Sequence, residues 1–80
     1  MPAESELTNQ LRRLRFDRSE MTQEDLARKV GVTRQTIIAI ESGRYAPSLP
    51  LALKLANVFG RPVEEIFSLR SGNGRRQGKD

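Results

Sequence analysis

The sequence predicts a small all-α domain of five short helices. Apolar residues recur three and four positions apart along most of the chain, which is the spacing of one face of a helix. Serine or threonine precedes three of these segments and glycine follows three of them, so typical start and stop signals bracket the predicted helices. No segment shows the period-two alternation of a half-buried strand. A chain of 80 residues has room for one such domain.

The chain divides into three predicted regions. We expect residues 1–6 to be a flexible N-terminus, residues 7–69 to form the helical domain, and residues 70–80 to be a flexible basic tail. Residues 71–80 include three glycines and no apolar side chain, so burial cannot offset the entropy lost on ordering. The tail carries +3 of the net charge of +4. Overall charge is therefore a weak sign of a nucleic-acid partner, since the tail is either an arm that touches phosphates or a solvated end.

The composition argues against an enzyme, a metalloprotein and a membrane protein. The chain has neither cysteine nor histidine, so the usual metal ligands and the commonest general base are missing. Two pairs of adjacent carboxylates, at residues 24–25 and 64–65, lie at predicted helix starts, where the helix dipole explains them. No uncharged segment is long enough to cross a bilayer, and no secretory signal is evident. We expect a cytoplasmic protein with no catalytic residue, metal, cofactor, membrane contact or small-molecule ligand.

The first helix is expected from Thr8 to about Phe16. Leu7, Leu11 and Leu14 form its apolar stripe, and the polar residues that follow predict its end near residues 17–19. All three phenylalanines of the chain are expected to be buried.

Start and stop signals predict the second and third helices. Thr22 is a good N-cap, and Asp25 stands three residues later, where it can complete a capping box. Gly31 is placed to end the second helix. Thr33 caps a third helix over residues 34–42.

The fourth and fifth helices follow a loop. Ser48 caps the fourth helix, Pro50 is tolerated in its first turn, and Gly60 ends it. Pro62 begins a short fifth helix. Its apolar contacts are expected from Ile66, Phe67 and Leu69.

Residues 23–42 are the most informative segment. They predict two helices of about eight residues joined by a sharp turn at Gly31, which is a helix-turn-helix arrangement. Once the apolar residues that hold the two helices together face inward, the outer face of the second helix is left where major-groove readout of DNA occurs. These apolar residues are Leu26, Val30, Val32, Ile37 and Ile40.

The run MTQEDLARKVGVTRQTI, with the later runs GRYAPSL, LALKLA and EEIF, resembles the Cro/repressor (XRE-type) helix-turn-helix family, especially its compact single-domain members. The resemblance covers residues 8–69. It implies a five-helix, lambda-repressor-like DNA-binding domain with its helix-turn-helix at helices 2 and 3. The implied function is a sequence-specific transcriptional repressor of double-stranded DNA, which binds a pseudo-palindromic operator as a homodimer through the major groove.

The resemblance also assigns contact residues. Thr22 and Gln23, at the start of the motif's first helix, would hold a phosphate, and the free N–H groups of a helix start favour an anion there. Arg44 and Tyr45, in the loop after the recognition helix, would reach the DNA backbone. The implied base contacts are Thr33, Arg34, Gln35, Thr36, Ile38 and Ala39. Arginine can bond guanine and glutamine can bond adenine, but the base that each one meets stays open.

Some of these residues have a second interpretation. Both threonine caps are explained by capping alone, and Gln23 by solvation. Ile38 either meets a thymine methyl group or is an exposed apolar side chain. Tyr45 either reaches the backbone or packs over Pro47.

Two further sets of residues have implied structural roles. Related repressors pair an arginine of the first helix with the glutamate that ends the recognition helix, which here implies an ion pair between Arg15 and Glu41. Arg12, Arg13 and Arg18 are expected to be a solvated face. The dimer interface is expected to use Val63, Ile66, Phe67 and Leu69, with completion of a monomer core as the alternative.

One alternative function stays open. A protein-interaction module, such as an antitoxin or adaptor component, can use the same fold, although the short basic extension lacks an apolar partner-binding segment. An RNA or single-strand binder would need exposed aromatic side chains, for which only Tyr45 is a candidate.

Overall fold

The computed structural model describes residues 6–69, which form five helices and two short strands. In chain order these are β1 (Leu7–Asn9), α1 (Leu11–Asp17), α2 (Gln23–Val30), α3 (Arg34–Glu41), α4 (Leu49–Phe59), α5 (Val63–Ile66) and β2 (Phe67–Leu69). The prediction of a mostly helical domain with five helices is confirmed. The predicted basic tail and all of the predicted N-terminus except Glu6 lie outside the described residues.

Hydroxyl caps begin α2, α3 and α4. Thr22 accepts a hydrogen bond from the Asp25 N–H at 2.9 Å, and the Asp25 carboxylate accepts one from the Thr22 N–H at 3.2 Å. Thr33 and Ser48 accept the corresponding N–H bonds at 3.2 Å and 3.3 Å. These oxygens satisfy donors that have no partner inside the helix. The predicted starts of the three helices are confirmed.

Gly31 makes the turn between α2 and α3. Its backbone adopts the left-handed conformation, with φ of 77°, which glycine accepts more readily than any residue with a Cβ atom. Directly after it, the Val32 N–H donates to the Ala27 carbonyl at 3.0 Å. The chain therefore reverses over the three residues between the helices, and α3 is placed against α2.

The pairing of β1 with β2 was not predicted. The two strands are antiparallel, with Leu7 opposite Leu69. The first helix was expected from Thr8 but begins at Leu11. No strand was expected, but β1 precedes this helix and β2 directly follows the last one. Both expectations are wrong because a three-residue strand is too short to show a period, and its partner lies at the other end of the domain.

The side chain of Asn9 links the start of α1 to the rest of the domain. Its amide nitrogen donates to the Ile40 carbonyl at 2.9 Å, and its amide oxygen accepts from the Leu11 N–H at 3.1 Å. The neighbouring Gln10 N–H donates to the Ile66 carbonyl at 2.9 Å. The start of α1 is thus tied to both α3 and α5.

A single hydrophobic core joins the helices. Phe59 and Phe67 lie in it, as expected, but Phe16 is 67% exposed and its predicted burial is wrong. Phe16 lies two residues after Leu14, or about 200° around the helix axis, so it cannot share the buried stripe. The largest fully buried side chains are Leu11, Leu26, Ile37, Ile40, Leu55 and Ile66.

Candidate nucleic-acid interface

The outer face of α3 carries two unpaired polar side chains. Ile37 and Ile40 of this helix are buried, whereas Arg34 and Gln35 are exposed. Within residues 6–69, neither of these two polar side chains has a hydrogen bond or ion pair. A guanidinium with five N–H donors and an amide with donors and an acceptor are therefore available to a ligand.

The other predicted base-contact residues at α3 are hydrogen-bonded within the protein or partly buried. The hydroxyls of Thr33 and Thr36 lie 3.1 Å apart and are hydrogen-bonded, and Thr33 also caps the helix. Ile38 and Ala39 are half-buried. Arg34 and Ile38 are one turn apart and line the same groove.

That groove is open, with a volume of about 870 Å³, and is bounded by α1, the start of α2 and α3. Both positively and negatively charged side chains line it. Arg12, which was expected on a solvated face, is a lining residue, and so is the exposed Phe16. The remaining lining residues are Arg15, Glu20, Met21, Thr22, Gln23, Glu24, Arg34, Ile38, Glu41 and Ser42.

The start of α2 opens into the groove. The N–H groups of Gln23 and Glu24, its first two residues, have no acceptor inside the helix because of their position. These donors and the positive end of the helix dipole favour an anion. The Thr22 hydroxyl accepts the Asp25 N–H in the capping box, so the role of this side chain at the helix start is to cap α2.

The carboxylates of the same turn are held within the helix. Glu24 and Asp25 lie 3.7 Å and 3.8 Å from Arg28. The hydrogen bonds that Asp25 receives, first from the Thr22 backbone and then from its hydroxyl, hold the pKa of Asp25 below its ordinary value of 3.8. Both pairs with Arg28 are exposed to solvent, which weakens them.

Arg15 and Glu41 form a forked ion pair. The arginine Nε donates to Oε2 at 2.6 Å and its Nη2 donates to Oε1 at 3.0 Å. The two side chains are only 13% and 8% exposed. Arg15 also donates from Nη1 to the Met21 carbonyl at 2.8 Å, and the Gln23 amide donates to Glu41 at 3.2 Å. The structure thus brings together the two residues that the resemblance paired.

Arg18 has a structural contact that the sequence analysis missed. Its Nη2 donates to the carbonyl of Phe59, the last residue of α4, at 3.2 Å. Arg18 is exposed, as expected of a solvated face, but its guanidinium also has this partner within the protein. No local pattern could have found this contact, because the two residues are 41 positions apart.

Arg44 and Tyr45 lie in the loop after α3. Both are exposed, and neither side chain has a hydrogen-bond partner among residues 6–69. The Arg44 N–H donates to the Ala39 carbonyl at 3.0 Å, which holds the beginning of the loop against the helix. The loop therefore presents both side chains beside the end of α3.

The predicted dimer residues are divided between core and surface. Ile66 and Phe67 are buried within the single chain, so for these two the prediction of an interface is corrected to the monomer core. Val63 is half-buried, and Leu69 is 66% exposed. Two leucines of α4 that the sequence analysis left unassigned, Leu49 and Leu53, are exposed as well. Their offset of two positions from the buried Leu51 and Leu55 was the available signal.

The described residues give no sign of a metal or membrane site. Residues 6–69 contain no group of three or more carboxylate, thiol or imidazole side chains arranged to hold a metal ion. Over the same residues, every helix is too short or too polar to span a bilayer.

Comparison with known proteins identifies relatives of this chain. The helix-turn-helix family model matches residues 11–66. An uncharacterized HTH-type transcriptional regulator of Methanocaldococcus jannaschii is 66% identical over 47 residues, which cover 59% of this chain and 71% of that protein. The uncharacterized HTH-type regulator YgzD of Bacillus subtilis is 46% identical over 67 residues, which cover 84% of this chain and 100% of that protein.

Two further comparisons bear on function and fold. The cryptic phage CTXphi transcriptional repressor RstR of Vibrio cholerae is 36% identical over 61 residues, covering 76% of this chain and 54% of that protein. A candidate DNA-binding protein of Bacteroides fragilis, known from its crystal structure, matches with a TM-score of 0.66 and 21% identity, covering 78% of this chain and 98% of that one. This last match shows a shared fold. On these findings, the chain belongs to the helix-turn-helix family of transcriptional regulators, of the Cro/repressor (XRE) type.

Proposed function

We propose that this protein is a sequence-specific repressor that occupies an operator in double-stranded DNA. The observation that carries the proposal is the outer face of α3, where Arg34 and Gln35 are exposed and unpaired among the described residues. A helix with such a face fits the major groove, whose base edges present acceptors to arginine and paired donors and acceptors to glutamine. Repression is supported by RstR, a relative that is named a transcriptional repressor.

In this proposal α3 contacts the bases, and the start of α2 and the loop after α3 contact the DNA backbone. Arg34 and Gln35 make the polar base contacts, and Ile38 lies against a thymine methyl group one turn later. The remaining contacts at the base edges are weaker and come from Thr33, Thr36 and Ala39. The hydroxyls of Thr33 and Thr36 are already hydrogen-bonded to each other. The start of α2, at Thr22 and Gln23, holds one phosphate, and Arg44 and Tyr45 hold another.

The proposed DNA site is a pseudo-palindrome bound by two copies. One short helix contacts only a few base pairs, so useful specificity needs two readers whose half-site centres lie about 34 Å apart. The exposed Leu69 and the half-buried Val63 support a contact between the copies near α5. The cytoplasm is the compartment in which such a protein meets DNA, and the proposal needs no cofactor.

A salt-titrated binding experiment tests this function. The wild-type protein is used to select duplexes from random-sequence DNA, and binding to the selected duplex is compared with binding to a scrambled duplex. The same titration is made with Arg34→Ala and with a chain truncated after Arg70. Preference for the selected duplex that Arg34→Ala abolishes and the truncated chain keeps is the expected result.

Two other results would contradict the proposal. Equal, steeply salt-dependent binding to both duplexes that requires the tail would indicate phosphate attraction alone. Absence of binding to any duplex would favour the alternative of a protein-interaction module, an antitoxin or adaptor component.

A further inference from the structure

The carboxylate of Glu41 connects all three helices around the groove. Its Oε2 accepts from Arg15 Nε at 2.6 Å, and its Oε1 accepts from both Arg15 Nη2 at 3.0 Å and Gln23 Nε2 at 3.2 Å. Arg15 belongs to α1, Gln23 begins α2, and Glu41 ends α3. The last residue of the recognition helix is therefore bonded directly to the first residue of the helix whose start would hold a phosphate.

Arg15 strengthens the same connection. Its Nη1 donates to the carbonyl of Met21 at 2.8 Å. Met21 and Gln23 flank the capping residue of α2. The ion pair thus contacts the start of α2 at two points. Arg15 donates to the Met21 carbonyl, and Glu41 accepts from the Gln23 side chain.

The bond to Glu41 has a consequence for the Gln23 amide. A glutamine amide has two N–H donors, and only one is used by Glu41. A long side chain at a helix start normally exchanges among several rotamers, and holding it in one of them costs entropy when a ligand binds. The bond to Glu41 restricts the amide before DNA arrives, and it leaves the second N–H without a partner among residues 6–69, next to the backbone N–H groups that begin α2.

We propose that Glu41, neutralised by Arg15, is a positioning residue that orients Gln23 toward a DNA phosphate. This inference rests on the proposed function. The arginine has a second part in it, because an unpaired carboxylate beside the groove would repel the DNA backbone. The pair thereby couples the phosphate contact of α2 to the position of the recognition helix.

A charge-neutral double substitution separates this role from a purely structural one. Arg15→Met with Glu41→Leu removes one positive and one negative charge, so the net charge of +4 is unchanged. Replacement of a buried ion pair by apolar residues of similar volume commonly preserves stability. The control is Arg13→Gln with Asp17→Asn, which removes one charge of each sign from exposed side chains that do not line the groove.

The readout is a scan of single methylphosphonate substitutions in the duplex that wild-type protein selects from random-sequence DNA. A methylphosphonate removes the charge of one phosphate. At the phosphate held by Gln23, we expect it to weaken wild-type binding about tenfold, as for loss of a hydrogen bond to a charged group. Gln23→Ala identifies that phosphate, because there this variant lacks the side-chain contact and responds less than the wild type, while the backbone N–H groups of α2 still contribute. The Arg15→Met with Glu41→Leu protein should show the same reduced response, and the control pair should keep the wild-type response.

A second measurement uses only the wild-type protein without DNA. The NMR order parameter of the Gln23 side-chain amide should lie near the rigid-backbone value of about 0.85, whereas a value below about 0.6 would overturn the inference. A folded Arg15→Met, Glu41→Leu protein that keeps the wild-type methylphosphonate response would also overturn it. If the wild-type protein selects no duplex, the proposed function fails first, and this inference fails with it.

Discussion

Arg15 and Arg34 line the same groove and carry the same charge, but they differ in burial and in hydrogen bonding. Arg15 is largely buried and donates three hydrogen bonds, two to Glu41 and one to the Met21 carbonyl. Arg34 is exposed and has no side-chain partner among the described residues. The first side chain is bound by the protein itself, and the second is available to a ligand.

The number of basic residues is therefore a poor guide to DNA contact. A buried arginine without its carboxylate partner would destabilise the fold, whereas an exposed one contributes little to stability and is free to act on a ligand. Arg18 supports the same distinction, because its guanidinium donates to the Phe59 carbonyl. The comparison predicts that substitutions at the two kinds of site separate stability from DNA binding.

The largest effect is expected for Glu41→Ala. This change leaves Arg15 buried without a counter-charge, which should lower the free energy of unfolding by about 3–5 kcal/mol. Urea denaturation followed by circular dichroism measures the change. A loss of less than about 1 kcal/mol would mean that water or another group replaces the carboxylate, and the contrast with exposed pairs would not hold.

Arg34→Ala should show the opposite behaviour. We expect the affinity for the selected duplex to fall by about 1–3 kcal/mol, while the free energy of unfolding changes by no more than about 0.5 kcal/mol. Titration calorimetry with the duplex and denaturation without it give the two values. An equal loss of stability would show that Arg34 has a structural role like that of Arg15.

Glu65→Ala measures how much an exposed ion pair contributes to stability, for comparison with the buried pair of Glu41. Glu65 lies 3.2 Å from Arg61, four residues earlier, and both side chains are about half exposed. Solvent screening limits such a pair to about 0.3–0.5 kcal/mol of stability. The same urea denaturation that is used for Glu41→Ala measures it. A loss comparable to that of Glu41→Ala would show that burial does not separate the two pairs.

The smallest effect is a pH dependence from Asp25. Hydrogen bonds from Thr22 lower the pKa of Asp25 in the folded state below 3.8. The ionised form therefore adds stability above the unfolded pKa, and this contribution disappears as the pH falls through the lowered folded value. Asp25→Asn keeps the shape but not the charge.

Melting temperatures of wild type and Asp25→Asn, measured from about pH 6 downward, test this dependence. The wild type should lose its advantage over the variant only below about pH 4. A constant difference across the whole range would show that the charge of Asp25 adds nothing to the cap.

Much of the α2–α3 region could be predicted from the sequence because its signals are local. Thr22 and Thr33 cap donors within three residues of themselves, and Gly31 adopts the conformation for which its residue type is suited. The pattern of buried leucine, valine and isoleucine follows the helical period. The partnership of Arg15 with Glu41 needed the resemblance, since nothing in their spacing connects them.

The two short strands near the ends of the described residues could not be predicted in this way, and the exposed leucines of α4 could be predicted only from their position around the helix. The strand over residues 7–9 exists only because it pairs with residues 67–69, and Asn9 acts through a carbonyl 31 positions away. Leu49 and Leu53 have the same residue type as their buried neighbours, so only their helical phase reveals that they are exposed. Contacts that are distant in sequence leave no periodic signal.

A scan of single 7-deazapurine substitutions in the selected duplex, with binding measured for wild type and Arg34→Ala, tests whether Arg34 bonds a base edge. Each substitution removes one N7 acceptor from the major groove and leaves the Watson–Crick pairing intact. At one purine per half-site, we expect about a tenfold loss for wild type and no loss for Arg34→Ala. The same sensitivity in both proteins would contradict the claim that Arg34 reads the base edge and that the exposed face of α3 is the DNA reader.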